Sequence, residues 1–145
     1  MIIPGDQFLE ALNHSWAVLP QKLANLTDSA RQEYLNRQGY PGGPNGLLGH
    51  ILSWWEDGIQ EVERMRREPA FANPDYDVDA FNARSVARFG SLSTAEVGEW
   101  YETMRTRMVQ LVKDLSDSEI LDERINNRLR YEIVVHLEEH PLPTL

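Results

Sequence analysis

The stretch Gly46–Glu68, "GLLGHILSWWEDGIQEVERMRRE", decides the fold. Leu47, Ile51, Trp54, Gly58, Val62 and Met65 recur at intervals of three and four, which places them on one stripe of a long helix. Asn45 suits the N-cap, and His50 falls between Leu47 and Trp54 on the inward side. Charged residues cover the rest of the surface, so the helix must bury its stripe against partners with stripes of their own.

The flanking sequence supplies them. Upstream, "FLEALNHSWAVLPQKLANL" carries Leu9, Leu12, Trp16, Leu19, Leu23 and Leu26 on one face; Pro20 lies off that face and predicts a kink or a split there. The segment "TDSARQEYLNRQGYPGGPNG" reads as a long connection with one short helical piece. Downstream, "PAFANPDYD" breaks the pattern, and Asp77 then caps a helical insert, "VDAFNARSVARF", that Gly90 stops. Ser93 and Glu96 form a capping box for a third long helix. That helix buries Val97, Trp100 or Tyr101, Met104, Met108, Leu111 and Leu115. "SDSE" (Ser116 to Glu119) repeats the capping signature for a short turn. A last helix spans about Asn126 to His140, ended by Pro141 and Pro143. No alternating strand pattern of useful length occurs. The expected architecture is all-α: one four-helix bundle over residues 1–145, with a long first connection and a short helical insert between helices 2 and 3.

Composition removes several functions. The chain has 145 residues, 41% hydrophobic and 26% charged, as in a globular domain. No apolar run is long enough to cross a bilayer, and "MIIPGDQFLE" lacks the flanks of a signal peptide. A cytoplasmic protein with no membrane partner is expected. A net charge of −9 without a basic stripe argues against nucleic acid. The chain has no cysteine, so any metal must sit on His, Asp or Glu.

The candidate chemistry is in "IVVHLEEH". On the last helix Leu129, Ile133, His136, Leu137 and His140 share a face, so both imidazoles point inward. Two histidines one turn apart can chelate one first-row ion, but they need a further ligand; His50 has the matching inward position. The plainer alternative is two cationic imidazoles at the negative end of a helix dipole. The same letters also read H-x-x-E-H, with Glu139 as the base of an inverted zinc-protease motif. That motif needs a ligand further downstream, and only five residues follow His140. His14, beside Asn13 and Ser15, reads as solvated.

In the order "GLLGHILSWWEDGIQEV", "DVDAFNARSVARF", "STAEVGEW" and "RYEIVVHLEEH", the chain from about Leu47 to His140 resembles the DinB-like superfamily, and within it the ClbS/DfsB-type branch. The resemblance implies a metal site on His50, His136 and His140, with Zn, Ni or Fe as the ion and positions left open for water or substrate. It implies a small-molecule enzyme of thiol-S-transferase-like or hydrolase-like kind, with a low-molecular-weight thiol as a partner. The ClbS/DfsB-type branch implies an alternative, a non-catalytic resistance protein that sequesters a reactive metabolite or toxin. A third reading is a bundle whose site has lost its task, leaving an interaction surface or a homodimer.

Among other residues, Trp54 and Trp55 read as core and rim packing, with substrate stacking as the functional alternative. Asp57, two turns from His50, is the better catalytic candidate beside Glu56. The resemblance places Asn82 and its insert over the pocket. "DYDVDA" begins like a calcium loop, but Ala80 and Val86 stand where glycine and glutamate are needed. "PGGPNG" lacks the lysine and hydroxyl residue of a phosphate loop.

Overall fold

A computed structural model describes residues 1–144. All regular structure among them is helical: α1 (Gly5–Asn13), α2 (Ser15–Asn25), α3 (Asp28–Gln38), α4 (Pro44–Arg67), α5 (Val78–Phe89), α6 (Thr94–Asp114), α7 (Asp117–Ile120) and α8 (Glu123–Leu129). From α8 the chain runs on through a π-helical segment, Arg130–Val135, into α9 (His136–Glu139). Helix α4 is central: it packs along α6 and against α5 and α8, while α1 rests on α6 and on the π segment. No helix is long and apolar enough to cross a membrane among the described residues.

The first helical stretch divides at His14, not at Pro20. Pro20 sits inside α2 and cannot donate to the carbonyl of Trp16 four residues earlier. The Tyr101 hydroxyl donates to that carbonyl instead, at 2.6 Å, so the proline leaves no buried acceptor unpaired. Phe8, Leu12, Trp16, Leu19, Leu23 and Leu26 are buried, with Phe8 rather than Leu9 heading the stripe.

The expected connection after Leu26 is a three-turn helix. Thr27 caps α3 by accepting from the Ala30 amide. Gly39, at φ 84°, closes it, with Gly39 N–H donating to Asn36 and Tyr40 N–H to Leu35; these two bonds form a Schellman motif. Helix α3 buries only Tyr34 and Leu35, so its apolar periodicity is too sparse to read.

Helix α4 starts earlier than Asn45 suggests. Gly43, at φ 126°, is the N-cap and Pro44 the first helical residue. Asn45 is already inside the helix and donates from Nδ2 to the Leu92 carbonyl. The buried face runs through Leu47, Leu48, Ile51, Leu52, Trp55, Gly58, Val62 and Met65, so Trp55 enters the core and Trp54 does not. A Cβ on Gly49 would lie 2.7 Å from Phe89 Cβ; its absence lets α5 approach α4.

Asp77 caps α5, and the capping boxes at Ser93/Glu96 and Ser116/Glu119 both form. In α6 it is Tyr101 that is buried, while Trp100 is exposed. Asn126 ties the N-terminal segment to α8: its side chain accepts from Ile3 N–H and donates to the Ile3 carbonyl.

Candidate metal centre

The elements above bring His50 from α4, His136 from α9 and His140, the C-cap of α9, to one point. His50 Nε2 lies 2.9 Å from His136 Nε2 and 3.2 Å from His140 Nε2. All three rings are buried, and one nitrogen from each lies within 4.8 Å of the others. His14 is exposed and takes no part.

The outer nitrogens show which ring atoms are free. His50 Nδ1 is 3.0 Å from Asn82 Oδ1, and the Trp54 indole N–H donates to the same oxygen at 2.8 Å. An indole N–H can only donate, so the atom it faces must be the amide oxygen. His50 Nδ1 must then carry the ring proton, and His50 Nε2 presents a bare lone pair to the centre. His140 repeats the arrangement, with Nδ1 at 3.0 Å from Gln38 Oε1. His136 Nδ1 is buried without a hydrogen-bond partner, 4.0 Å from Glu132 Oε2, which also lacks one.

Burial pushes His50 down to about 4, helped by the repulsion from a protonated His140 and opposed by the hydrogen bond to Asn82. Burial likewise holds His136 well below its ordinary value, with His50 and His140 adding to the effect, and it lowers His140. All three are therefore neutral at pH 7, the form that ligates a metal. With its proton on Nδ1, His50 Nε2 can accept an N–H from His136 or His140, or share an electrophile with both. At metal–nitrogen bonds of about 2.1 Å, ligands at right angles stand roughly 3.0 Å apart, close to the two separations found. The residues fit a divalent ion.

The π segment helps to place this centre. In a π turn each amide reaches one residue further back, as His136 N–H does to the Tyr131 carbonyl. Two neighbouring carbonyls take indole donors: Ile133 from Trp16 and Glu132 from Trp55.

A carboxylate network borders the imidazoles. Arg128, almost wholly buried, donates from Nε to Glu132 Oε1, from NH1 to Asn73 Oδ1 and the Tyr76 hydroxyl, and from NH2 to Asp57 Oδ2. The Tyr76 hydroxyl in turn donates to Asp57 Oδ2 at 2.6 Å. Asp57, expected as the catalytic group, is thus held by Arg128 and Tyr76 and does not line the main cavity. The carboxylate nearest the imidazoles is Glu132. Burial pushes it up to about 8, with Arg128 pulling the other way.

The centre opens into a cavity of about 1400 Å³. Tyr40 packs against His50 with ring centroids 5.0 Å apart. Trp54 stacks on Phe81 at 3.9 Å and meets Tyr76 edge-on. Sequence reasoning singled out the three histidines, and the resemblance Asn82, but neither singled out Gln38, Arg128 or Glu132. The i, i+4 pair of Arg128 and Glu132 leading into His136 was the available signal for the last two, although helical arginine–glutamate pairs are common on surfaces. No family model, curated protein or solved structure matches this chain.

Proposed function

We propose that the protein is a metal-dependent small-molecule enzyme built as a DinB-like four-helix bundle with a helical insert, using His50, His136 and His140 as ligands to Zn, Ni or Fe. The observation that carries this reading is the convergence of three Nε2 atoms, with His50 fixed by Trp54 and Asn82 in the tautomer that leaves its lone pair inward. The bundle reading is supported by the packing of α4, α6, the α1–α2 stretch and the α8–α9 stretch around one apolar core.

A divalent ion held by His50, His136 and His140 would supply Lewis acidity and lower the pKa of a thiol or water bound beside it. The chain's own groups do the rest. Asn82 and Gln38 orient two imidazoles through Nδ1, the role such outer partners play around metal ligands. Glu132, held near neutrality by burial against the pull of Arg128, can keep or release a proton at Oε2 beside His136. Tyr40 covers the rings of His50 and His140. Two chemistries suit this arrangement: thiol transfer to an electrophile, and hydrolysis.

Metal analysis of untagged protein tests the reading. One ion per chain is expected, and it should be lost on changing any one of His50, His136 or His140 to alanine. Transfer of a low-molecular-weight thiol to a generic electrophile should stop with chelator and return with metal. A second reading, sequestration of a reactive metabolite without turnover, draws on the volume of the cavity. Metal-free protein of unchanged stability that binds an electrophile stoichiometrically would establish it instead.

A further inference from the structure

A carboxamide has two ends, an oxygen that accepts and an NH2 that donates. Three of the carboxamides lining the cavity have the oxygen end occupied by the protein. Asn82 Oδ1 takes the Trp54 indole N–H at 2.8 Å and faces His50 Nδ1 at 3.0 Å. Asn73 Oδ1 takes a guanidinium N–H of Arg128 at 2.8 Å. Indole and guanidinium nitrogens only donate, so neither amide can be turned round. Gln38 Oε1 stands 3.0 Å from His140 Nδ1. With His140 Nε2 given to a metal, Nδ1 keeps the ring proton and fixes this third amide in the same way.

The NH2 ends are left over. Among the described residues none of the three has a protein acceptor, and neither Gln38 Nε2 nor Asn82 Nδ2 is sealed from the cavity. Gln38 is the last residue of α3 and Asn82 lies in the second turn of α5, so the two amides reach the histidines from different elements. Each stands directly behind a ligating ring. Two pairs of oriented N–H groups therefore border the centre, and Asn73 sets a third pair further along, beside Arg128 and Tyr76. A hydrocarbon placed against such groups displaces their water and leaves them unpaired, whereas an oxygen satisfies them. The wall also holds a free acceptor, Asn45 Oδ1; it calls for a donor and does not compete for the same ligand atoms.

We propose that Gln38 and Asn82 determine specificity: their NH2 groups bind acceptor oxygens of the substrate beside its metal-bound atom, so the site prefers carbonyl-, ester- or carboxylate-bearing molecules to hydrocarbons of the same shape. This deepens the proposed function and rests on it in taking the histidine centre as metal-bound. Asn82 then serves the centre twice, its oxygen holding His50 and its nitrogen holding the substrate.

Two uncharged thiols of matched shape provide the test: methyl thioglycolate, whose ester offers only acceptors, and 2-methylbutane-1-thiol, whose chain offers none. Both are titrated into Co(II)-loaded protein and read by the sulfur-to-cobalt charge-transfer absorbance. Asn82→Asp and Gln38→Glu keep the oxygen that each imidazole faces and replace the NH2 by a second oxygen. The readout is the ratio of the two affinities. Differences in thiol acidity cancel between proteins, and the added charge acts on both bound sulfurs alike. The preference for the ester should fall at least about tenfold in Asn82→Asp and in the same direction in Gln38→Glu, with cobalt retained in both. A ratio unmoved in the cobalt-loaded variants overturns the inference and leaves the metal chemistry standing. Where one variant does not fold, the other decides. Folded variants that both lose cobalt would show that the amides act on the imidazoles alone, which also overturns it. A parent chain that binds no cobalt overturns the proposed function and this inference with it.

Discussion

Trp54 and Trp55 are adjacent in the chain and belong to two different interiors. Trp55 lies in a dry core between α4, α6, α2 and the π segment, edge-on to Trp16 at 5.2 Å and close to Tyr101. The polar atoms of these three residues are paired: Trp16 and Trp55 donate to carbonyls of the π segment, and Tyr101 donates to Trp16. Trp54 faces the cavity between α4, α5 and α8. There Asn45 Oδ1, Glu132 Oε2 and His136 Nδ1 are buried and unpaired. Folding alone disfavours such atoms, because each one forgoes hydrogen bonds to water. One side of α4 is an apolar core with its polar atoms paired, and the other opens on a cavity where three polar atoms are unpaired.

The sharpest way to break that distinction is to truncate each tryptophan. Trp55→Ala removes a fully buried indole and its bond to the π segment, and should lower unfolding free energy by about 3–5 kcal/mol in denaturant titrations. Trp54→Ala should lower it by only about 1–2 kcal/mol yet weaken metal binding, because His50 loses the group that fixes its tautomer. Equal stability losses with unchanged metal affinity would remove the division between the two sides.

The pH dependence separates the sides next. In metal-free protein, an unfolded His50 takes up a proton near 6.5, whereas the folded one stays neutral until about 4. The unfolded state therefore binds more protons in that window, and stability falls as pH drops from about 6.5 toward 4, by on the order of a few kcal/mol. His136 and His140 shift in the same direction. Glu132 acts with the opposite sign. Its folded value is raised to about 8, so its contribution is fully present below the unfolded value and is lost as pH rises through 8. Glu132→Gln should remove a loss of stability that runs from about pH 4.5 to 8, flattening the alkaline side and steepening the acid-side decline between pH 6.5 and 5. A profile unchanged on the alkaline side would mean that Glu132 is already ionised at neutral pH.

A smaller effect is expected one shell out from the imidazoles. Asn82→Ala frees His50 Nδ1 and should weaken metal affinity roughly 10–100-fold, the usual range for such partners. Asn82→Ala also strands the His50 Nδ1–H and Trp54 indole donors, so stability should fall by about 1–2 kcal/mol, less than the affinity loss at its upper range. A loss of stability as large as the loss of affinity would make Asn82 a packing residue instead.

How much of this could be read from the chain depends on where each signal lives. Capping chemistry is local, and Asp77, Ser93 and Ser116 stand where the sequence put them. Helical periodicity gave the inward side of α4 but not the choice between neighbours: Trp54 and Trp55 differ by one step of rotation, and packing against α5 and α6 decides. Helix α3 was expected only as one short helical piece, because its sparse apolar content does not mark its length and its caps, Thr27 and Gly39, do. His50, His136 and His140 were legible as residues facing one way. The partners Gln38, Arg128 and Glu132 were not, since a glutamine at the end of a polar helix, or a charged pair one turn apart, looks the same on a solvated surface. The assignment of Asp57 rested on spacing alone, and spacing could not show Arg128 and Tyr76 waiting for its carboxylate.

Pro20 is the finest test of the dry side. Sequence logic places a break at this proline, and the helix continues because Tyr101 supplies the missing donor. Tyr101→Phe alone should cost about 1–2 kcal/mol by leaving the Trp16 carbonyl buried and unpaired. In a Pro20→Ala background the new amide of residue 20 can reach that carbonyl, so the same Tyr101→Phe change should cost appreciably less. A double-mutant cycle read by denaturant unfolding measures the difference. Strict additivity would show that the hydroxyl and the proline are independent, and that the continuity of α2 has another source; coupling of about 0.5–1 kcal/mol would show that a tyrosine from α6 closes the gap a proline opens in α2.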